Sequence, residues 1–216
     1  MRPLIVAILM FLGSQAVSAE FFVLPGTKTL LVMGETKSGD ALTLEKYIAE
    51  KEIGSLILKG PGGDLYAGYQ MADVVLEHDL SITIPADTDC ASACSLIFAA
   101  GKVRIMEAGS RLGFHLPFLK LKDKDDLDRY CEQVASDRNT NNKSFKRKVL
   151  GPSGASEECV TLTFQSGLRA MRNLSRIFDR DGISAEVINI IIETPSFGMI
   201  WVSVNQAKTF GLVNVD

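Results

Sequence analysis

The sequence predicts a layered α/β domain with a mostly parallel sheet, and three observations lead to this prediction. Short β-branched or apolar runs alternate with segments whose apolar residues recur at helical spacing. Strands that alternate with helices favour parallel pairing, because each helix carries the chain back across the sheet. No internal repeat or linker divides the 216 residues, and this length suits a single hydrophobic core.

The candidate strands and helices of the first half alternate in a regular order. The strands are short and apolar, and they lie at residues 29–34, 54–58, 81–84, 103–106 and 112–115. The helices are predicted at residues 42–51, at residues 65–76 and directly after Ser92. In the first of these helices, Leu44, Tyr47 and Ile48 share one face.

The composition changes beyond residue 120. Residues 120–148 are dense in charge and Asn, so we expect a polar insertion at about 120–160 within one domain of residues 20–216. A solvated helix or loop is the expected structure of this insertion, and a lid or partner-binding arm is the functional alternative. The remaining elements are helices at 163–181, 184–192 and 201–210 and a short strand at 212–213.

The first nineteen residues have the organisation of a signal peptide. Arg2 precedes an apolar run at residues 4–12, and small residues at 17–19 form a cleavage site before Glu20. The apolar run is too short to span a bilayer comfortably, so a retained anchor is the less favoured alternative. We therefore expect a periplasmic or secreted protein with no stable membrane span after cleavage.

Composition and charge argue against several classes of function. The net charge is −3, whereas a nucleic-acid partner would need a basic face. A glycine-rich loop at residues 60–63 lacks the spacing of a nucleotide-binding loop, and no cofactor is expected. One Cys-x3-Cys motif with two histidines, His78 and His115, is a weak metal pattern, so no metal site is expected.

The four cysteines favour disulfides, because an even number in an oxidising compartment usually pairs. Three pairings are open. We favour Cys131 with Cys159, since both flank the polar insertion, and this choice leaves Cys90 and Cys94 to pair with each other.

Ser92 is the strongest candidate for a nucleophile. A strand precedes it and a run of small and apolar residues follows, so Ser92 lies where a strand turns into a helix. Unpaired N–H groups at such a helix start favour negative charge beside the hydroxyl. The alternative is that Ser92 only caps the helix, because Ser is a preferred capping residue.

Two further segments offer complementary chemistry. Glycines at 60–63 follow a buried strand, so their N–H groups can approach a ligand and supply half of an oxyanion hole. An ordinary Pro-Gly turn is the alternative. His115 ends a strand and can serve as a general base, although a histidine with apolar neighbours is more often a core residue.

Together these motifs resemble the proteolytic subunit of Clp proteases, within the wider Clp/crotonase fold. The resemblance covers roughly residues 27–117 and 165–215. It is carried, in order, by Pro61-Gly62-Gly63, Ala91-Ser92-Ala93, Ala99-Ala100-Gly101, Ser110-Arg111 and Phe114-His115-Leu116-Pro117.

The resemblance implies a role for each matching residue. Ser92 would be the nucleophile and His115 the general base, and the N–H groups of Gly63 and Ala93 would form the oxyanion hole. The fold implied is a superhelix of stacked ββα units, with a mostly parallel sheet, surrounding helices and frequent assembly into homo-oligomers.

The chain departs from the family pattern at the acid of the triad. Residues 195–201, where the family carries this acid, contain no carboxylate, and Glu193 is the nearest one. The site is therefore a Ser–His dyad, a triad completed by Glu193 or by the insertion, or an inactive enzyme. The signal peptide and the insertion point away from a cytosolic unfoldase partner and so from ATP-driven degradation.

These observations lead to one main hypothesis and two alternatives. The main hypothesis is a periplasmic or secreted serine hydrolase that cleaves a peptide or protein substrate. The first alternative is a non-catalytic binding or assembly module on the same fold, because the acid is missing. The weaker alternative is an acyl-thioester enzyme, since coenzyme A is not expected outside the cytoplasm.

Overall fold

The structure is a computed structural model, and it describes residues 19–116, 129, 157–180, 182–195 and 197–215. Its strands are β1 (Glu20–Val23), β2 (Thr29–Thr36), β3 (Ser55–Gly63), β4 (Ser81–Ile84), β5 (Asp89–Ala91), β6 (Val103–Met106), β7 (Arg111–Phe114) and β8 (Ile200–Ser203). Its helices are α1 (Asp40–Lys51), α2 (Leu65–Glu77), α3 (Ala93–Ala99), α4 (Glu157–Arg180), α5 (Glu186–Glu193) and α6 (Val204–Thr209).

The described strands form one eight-stranded sheet that branches at β3. β2 pairs with both halves of β3, and the first half of β3 also pairs with β4, which continues to β6. Further along β3, the second neighbour is β5, through Gly60 and Cys90, and β5 continues to β7 and β8. Only the outer pairs β1–β2 and β7–β8 are antiparallel among these, so the prediction of a mostly parallel α/β sheet is confirmed.

Glycines allow β3 to change its second neighbour from β4 to β5 while it stays paired with β2. A Cβ atom at Gly60 would overlap the carbonyl oxygen of Gly34, and the register of β2 against β3 shifts between Met33 and Glu35. The predicted strand at 54–58 is therefore extended to Gly63, because the glycine loop is itself part of β3. This extension brings the loop beside the segment that holds Ser92.

The short helix α3 lies in the centre of the core. All seven of its residues are buried, and it packs against α2. Small residues allow this approach, since a Cβ atom at Gly68 would lie 2.9 Å from the Cβ of Ala93. Each large apolar side chain buried around α3 contributes about 1.5–3 kcal/mol, so the position of its first turn is well determined.

The second half of the chain differs from the prediction at two elements. The helix predicted at 201–210 begins only at Val204, because residues 200–203 pair with β7 as strand β8. Ser203 starts α6 with a capping box that includes Gln206, and this fixes the boundary. The strand predicted at 212–213 is absent from the described sheet, where Leu212 and Val213 are buried without strand pairing.

Besides β8, two short strands were not predicted, and three predictions fall outside the described residues. The structure adds β1 and β5 to the predicted strands, while α4 matches the amphipathic helix expected at 163–181, with Leu174, Ile177 and Phe178 buried. The predicted signal peptide at 1–19 apart from Ala19, most of the predicted insertion at about 120–160, and Cys131 lie outside the described residues. Within the described part, no helix combines the length and apolar character needed to cross a membrane.

Candidate active site

The hydroxyl of Ser92 and the ring of His115 are in direct contact. The distance from Ser92 Oγ to His115 Nε2 is 2.8 Å. Ser92 follows β5 and His115 follows β7, and these two strands are parallel neighbours. Because parallel strands end at the same edge of a sheet, residues 23 positions apart in sequence meet there.

Ser92 has an unusual backbone conformation. Its φ is 56° and its ψ is −122°, in a region that a residue with a Cβ atom rarely adopts. Ser92 precedes α3, but its side chain makes no capping hydrogen bond to that helix. The backbone holds it from both sides, since its N–H donates to the Gly113 carbonyl at 2.8 Å and its carbonyl accepts from Leu96. The hydroxyl is therefore directed to His115 and not to the helix.

The second nitrogen of His115 faces a backbone carbonyl. Nδ1 lies 2.9 Å from the carbonyl oxygen of Leu116. A carbonyl oxygen can only accept a hydrogen bond, so this contact assigns the proton to Nδ1. Nε2 is then the unprotonated nitrogen that accepts the hydroxyl proton of Ser92, which is the tautomer that a general base requires.

The glycine loop packs directly on the turn that holds Ser92. Gly62 has φ 89°, and a Cβ atom built on it would lie 2.7 Å from the Cβ of Ser92 and 2.8 Å from the nitrogen of Ala93. Gly63 has φ 146° and is in close contact with Thr36 on β2. The structure thus places the glycine loop against Ser92 and Ala93 through Gly62, and Gly63 lines the same cleft as Ser92.

A disulfide spans the same turn. Cys90 on β5 is bonded to Cys94 in the first turn of α3, as one of the predicted pairs. The other predicted pair, Cys131 with Cys159, falls outside the part of the chain whose side chains the structure describes.

Ser95 supports the turn that holds Ser92, although no sequence motif singles it out. This residue is fully buried, and its hydroxyl contacts the carbonyl oxygens of Cys90 at 2.6 Å and Gly113 at 3.0 Å. It therefore ties α3 to β5 and β7 at the level of Ser92. A serine in an otherwise apolar helix was the available signal, because a buried hydroxyl needs a specific partner.

Ser92 and His115 open onto a cleft of about 360 Å³ with mainly apolar walls. The cleft lies between the glycine loop, the start of α2 and helices α4 and α5. The remaining residues that line it are Glu35, Pro61, Gly62, Gly63, Leu65, Tyr69, Leu96, Phe114, Leu174 and Ile191. Burial raises the pKa of the Tyr69 phenol, so this side chain stays neutral at physiological pH.

The backbone that follows Glu193 is hydrogen-bonded to the backbone that follows His115, but in the described structure the two side chains are not bonded to each other. The N–H of Leu116 donates to the carbonyl of Thr194 at 3.0 Å, which places the end of α5 beside the histidine segment. The Glu193 side chain is exposed, and in the described part of the chain no hydrogen bond or ion pair joins it to His115. Its assignment as the orienting acid therefore stays a prediction.

A second cluster of side chains, which no sequence pattern indicates, joins strands β5, β7 and β8. Arg111 on β7 donates two hydrogen bonds to the carboxylate of Asp89 on β5, at 2.9 and 2.7 Å. Its guanidinium also lies 4.6 Å from the ring centre of Trp201 on β8. The hydrogen bonds to Asp89 raise the pKa of Arg111.

Among the described residues, no group of three His, Cys, Asp or Glu side chains is arranged to hold a metal ion.

Comparison with known proteins identifies the fold. No protein-family model and no curated protein matches the sequence. Among solved structures, the chain is similar to a mutant of ClpP1 from Listeria monocytogenes, with a TM-score of 0.52 and 20% identity over 87% of this chain and 89% of that one. The chain therefore has a Clp protease-like α/β fold.

Proposed function

We propose that the chain is a serine-type peptidase that acts in the periplasm or outside the cell. The observation that carries the proposal is the 2.8 Å contact between Ser92 Oγ and His115 Nε2 beside the glycine loop. Nucleophile and base within hydrogen-bonding distance are the minimum requirement for covalent acyl transfer. The similarity to ClpP1 adds a fold on which this chemistry is known, although fold alone does not fix function.

The proposed reaction has two steps. Ser92 Oγ attacks the scissile carbonyl while His115 Nε2 takes the hydroxyl proton, and the protonated histidine then gives this proton to the leaving amine. An acyl-enzyme ester on Ser92 remains. Water, deprotonated by His115, attacks the ester and releases the acid product together with the restored serine.

The N–H groups of Gly63 and Ala93 are the proposed oxyanion hole. Support comes from the fit of the glycine loop against Ser92, where no side chain can separate the loop from the reacting carbonyl. Loss of one such donor reduces kcat by about 10² to 10³. This arrangement also explains why the wall beside Ser92 is built from two glycines.

The Leu116 carbonyl takes the place next to Nδ1 that a carboxylate occupies in a triad. A carbonyl can hold the ring in the required tautomer, but it carries no full negative charge to stabilise the imidazolium. We therefore expect slow turnover from the dyad alone. Glu193 or an acid of the insertion would raise the rate by completing a triad.

The proposed location and assembly rest on separate features. The Cys90–Cys94 disulfide fits an oxidising compartment, as does the signal sequence. The expected homo-oligomer is a further proposal, and the sedimentation velocity of the mature chain measures it directly. The proposed substrate is a peptide or protein, and the proposed activity needs no ATP.

The test uses a fluorophosphonate probe, which labels activated serines. The mature protein, with its disulfide intact, should be labelled at Ser92, and peptide mass spectrometry locates the adduct. Ser92→Ala should abolish labelling, and His115→Gln should reduce it by about 10² or more. Ser81→Ala, in a strand away from the cleft, is the matched control and should be labelled like the wild type. Equal labelling of Ser92→Ala and the wild type would remove Ser92 from the mechanism.

A non-catalytic binding module is the second candidate. It is favoured by the uncharged partner of His115 Nδ1 and by the exposed position of Glu193. A folded wild type that binds peptides in the cleft but forms no adduct at Ser92 would establish this alternative. Peptide hydrolysis that disappears in Ser92→Ala would exclude it.

A further inference from the structure

In the described part of the chain, one acidic residue lines the cleft beside Ser92. Among the described residues that line this cleft, Glu35 is the one acidic side chain, and the walls around it are mostly apolar. A charged group in an apolar pocket usually fixes the orientation or the charge of a ligand. The proposed peptidase mechanism leaves Glu35 without a role.

Glu35 lies against the glycine loop. It is near the end of β2, where it is paired in register with Gly62 on β3. Its Cγ would be 2.9 Å from a Cβ atom built on Gly63, so the stem of the side chain fills the space that this glycine leaves. The carboxylate therefore belongs to the same wall of the cleft as the proposed oxyanion donor Gly63.

The carboxylate remains able to interact with a ligand. Its ion pair with Lys37 spans 3.5 Å, and both side chains are 38% exposed. An ion pair of this length and exposure is weak and is readily replaced. A carboxylate also has several acceptor positions, so a ligand cation can be added without loss of Lys37.

We propose that Glu35 selects substrates that carry a positive charge next to the bond to be cleaved. The cation is a Lys or Arg side chain or a free amino terminus, and the apolar walls accept the neighbouring side chain. A carboxylate in this wall repels the negative charge that develops on the reacting carbonyl. A bound cation offsets this repulsion while it also pairs with Glu35, so charge selection follows from the geometry.

This inference rests on the proposed function, and peptidyl phosphonates test it. Two probes differ only in Lys or norleucine at the residue that bears the phosphonate, and a second pair differs in a free or acetylated amino terminus. The second-order rate of adduct formation at Ser92 is measured by mass spectrometry. We expect the cationic member of one pair to react about five- to tenfold faster, the size of a partly exposed charge contact. The pair that shows the preference identifies the source of the cation.

Variants assign the preference to Glu35. Glu35→Gln should bring the ratio of cationic to neutral rates to about one, and Glu35→Lys should invert it because like charges repel. Glu45→Gln, on the exposed face of α1, is the matched control and should keep the wild-type ratio. Equal rates within both probe pairs on the wild type, or an unchanged ratio in Glu35→Gln, would overturn the inference.

Failure of this inference can be told apart from failure of the proposed function. If Ser92 reacts with the fluorophosphonate but shows no charge preference, the peptidase proposal stands and the role of Glu35 is rejected. If Ser92 reacts with no probe, binding of the Lys and norleucine peptides to Ser92→Ala still tests Glu35, because binding needs no chemistry. Tighter binding of the Lys peptide that is lost in the added Glu35→Gln change would support the selection, and equal dissociation constants would reject it.

Discussion

Cys90 and Cys94 form a disulfide across the turn that presents Ser92, joining the strand before the serine to the helix after it. Both cysteines are buried, at 0% and 6% exposure, so the bridge belongs to the core and is protected from solvent. The two segments that flank Ser92 are thereby held together. We therefore expect the position of Ser92 to depend on a covalent link that takes no part in the proposed peptidase reaction.

Removal of the disulfide should loosen this turn. For the Cys90→Ala/Cys94→Ala double variant we expect a loss of about 2 kcal/mol in the free energy of unfolding, as for a very short closed loop. Fluorophosphonate labelling of Ser92 should slow by about tenfold to a hundredfold, since small displacements of reacting groups have effects of this size. Denaturant unfolding and labelling rates measure the two effects.

Reductant supplies the control for the double variant. Dithiothreitol in mild denaturant should slow the labelling of the wild type. It should not change the labelling of the double variant, because that variant lacks the Cys90–Cys94 disulfide. A double variant that is less stable but reacts at the wild-type rate would show that the disulfide supports the fold without positioning Ser92.

Gly62→Ala should disrupt the site itself. The added Cβ would lie 2.7 Å from the Cβ of Ser92, in a backbone with φ 89°, so the turn and the loop must separate. We expect destabilisation of about 1–3 kcal/mol together with almost complete loss of labelling. Thermal unfolding and the labelling assay report these two quantities separately.

Gly26→Ala is the matched control for Gly62→Ala. Gly26 also has a positive φ of 73°, but a Cβ atom there would meet nothing within 4 Å. Backbone strain alone should lower the free energy of unfolding of this variant by about 1 kcal/mol, while Ser92 is labelled at the wild-type rate. If Gly62→Ala behaves like Gly26→Ala, the close approach of loop and nucleophile is not needed for the reaction.

The sequence was sufficient to predict the helices of the core and the three segments that meet at the cleft. Ser92, His115 and the glycine loop lie at ends of strands, and strand ends in a parallel sheet converge by topology. The prediction failed for β5 and β8. β5 has three residues, too few to show a period, and the apolar residues of β8 continue into α6 without a visible break.

The supporting side chains could not be predicted in the same way. Ser95 and Glu35 carry no motif, and their importance depends on contacts across strands far apart in sequence. The sequence predicts a helix at Trp201, so it gives no indication of the contact with Arg111. Local patterns identify the candidate reacting groups, whereas the residues that position them become visible only with the packing.

Ser95→Ala should weaken the contacts that tie α3 to β5 and β7 beside Ser92. The substitution leaves the buried carbonyl of Cys90 without its 2.6 Å hydrogen bond, and we expect a loss of about 1–3 kcal/mol in the free energy of unfolding. Labelling of Ser92 should also slow, because the same hydroxyl contacts the Gly113 carbonyl that binds the Ser92 N–H. Ser95→Thr, which keeps the hydroxyl, should recover part of the labelling rate if its methyl group is accommodated. Full labelling of Ser95→Ala would limit Ser95 to a role in stability.

Glu193→Gln decides what orients His115. If the Leu116 carbonyl at 2.9 Å is the effective partner of Nδ1, labelling of Ser92 should change by less than about threefold, because the exposed Glu193 side chain makes no bond to the ring in the described structure. If Glu193 completes a triad in the working enzyme, its removal should reduce the rate by up to about 10⁴, as the loss of a triad acid does. Glu186→Gln, at the other end of α5, controls for the change of charge on this helix. A large loss in Glu193→Gln alone would replace the carbonyl-oriented dyad with a triad, and it would require the end of α5 to move toward His115 when substrate binds.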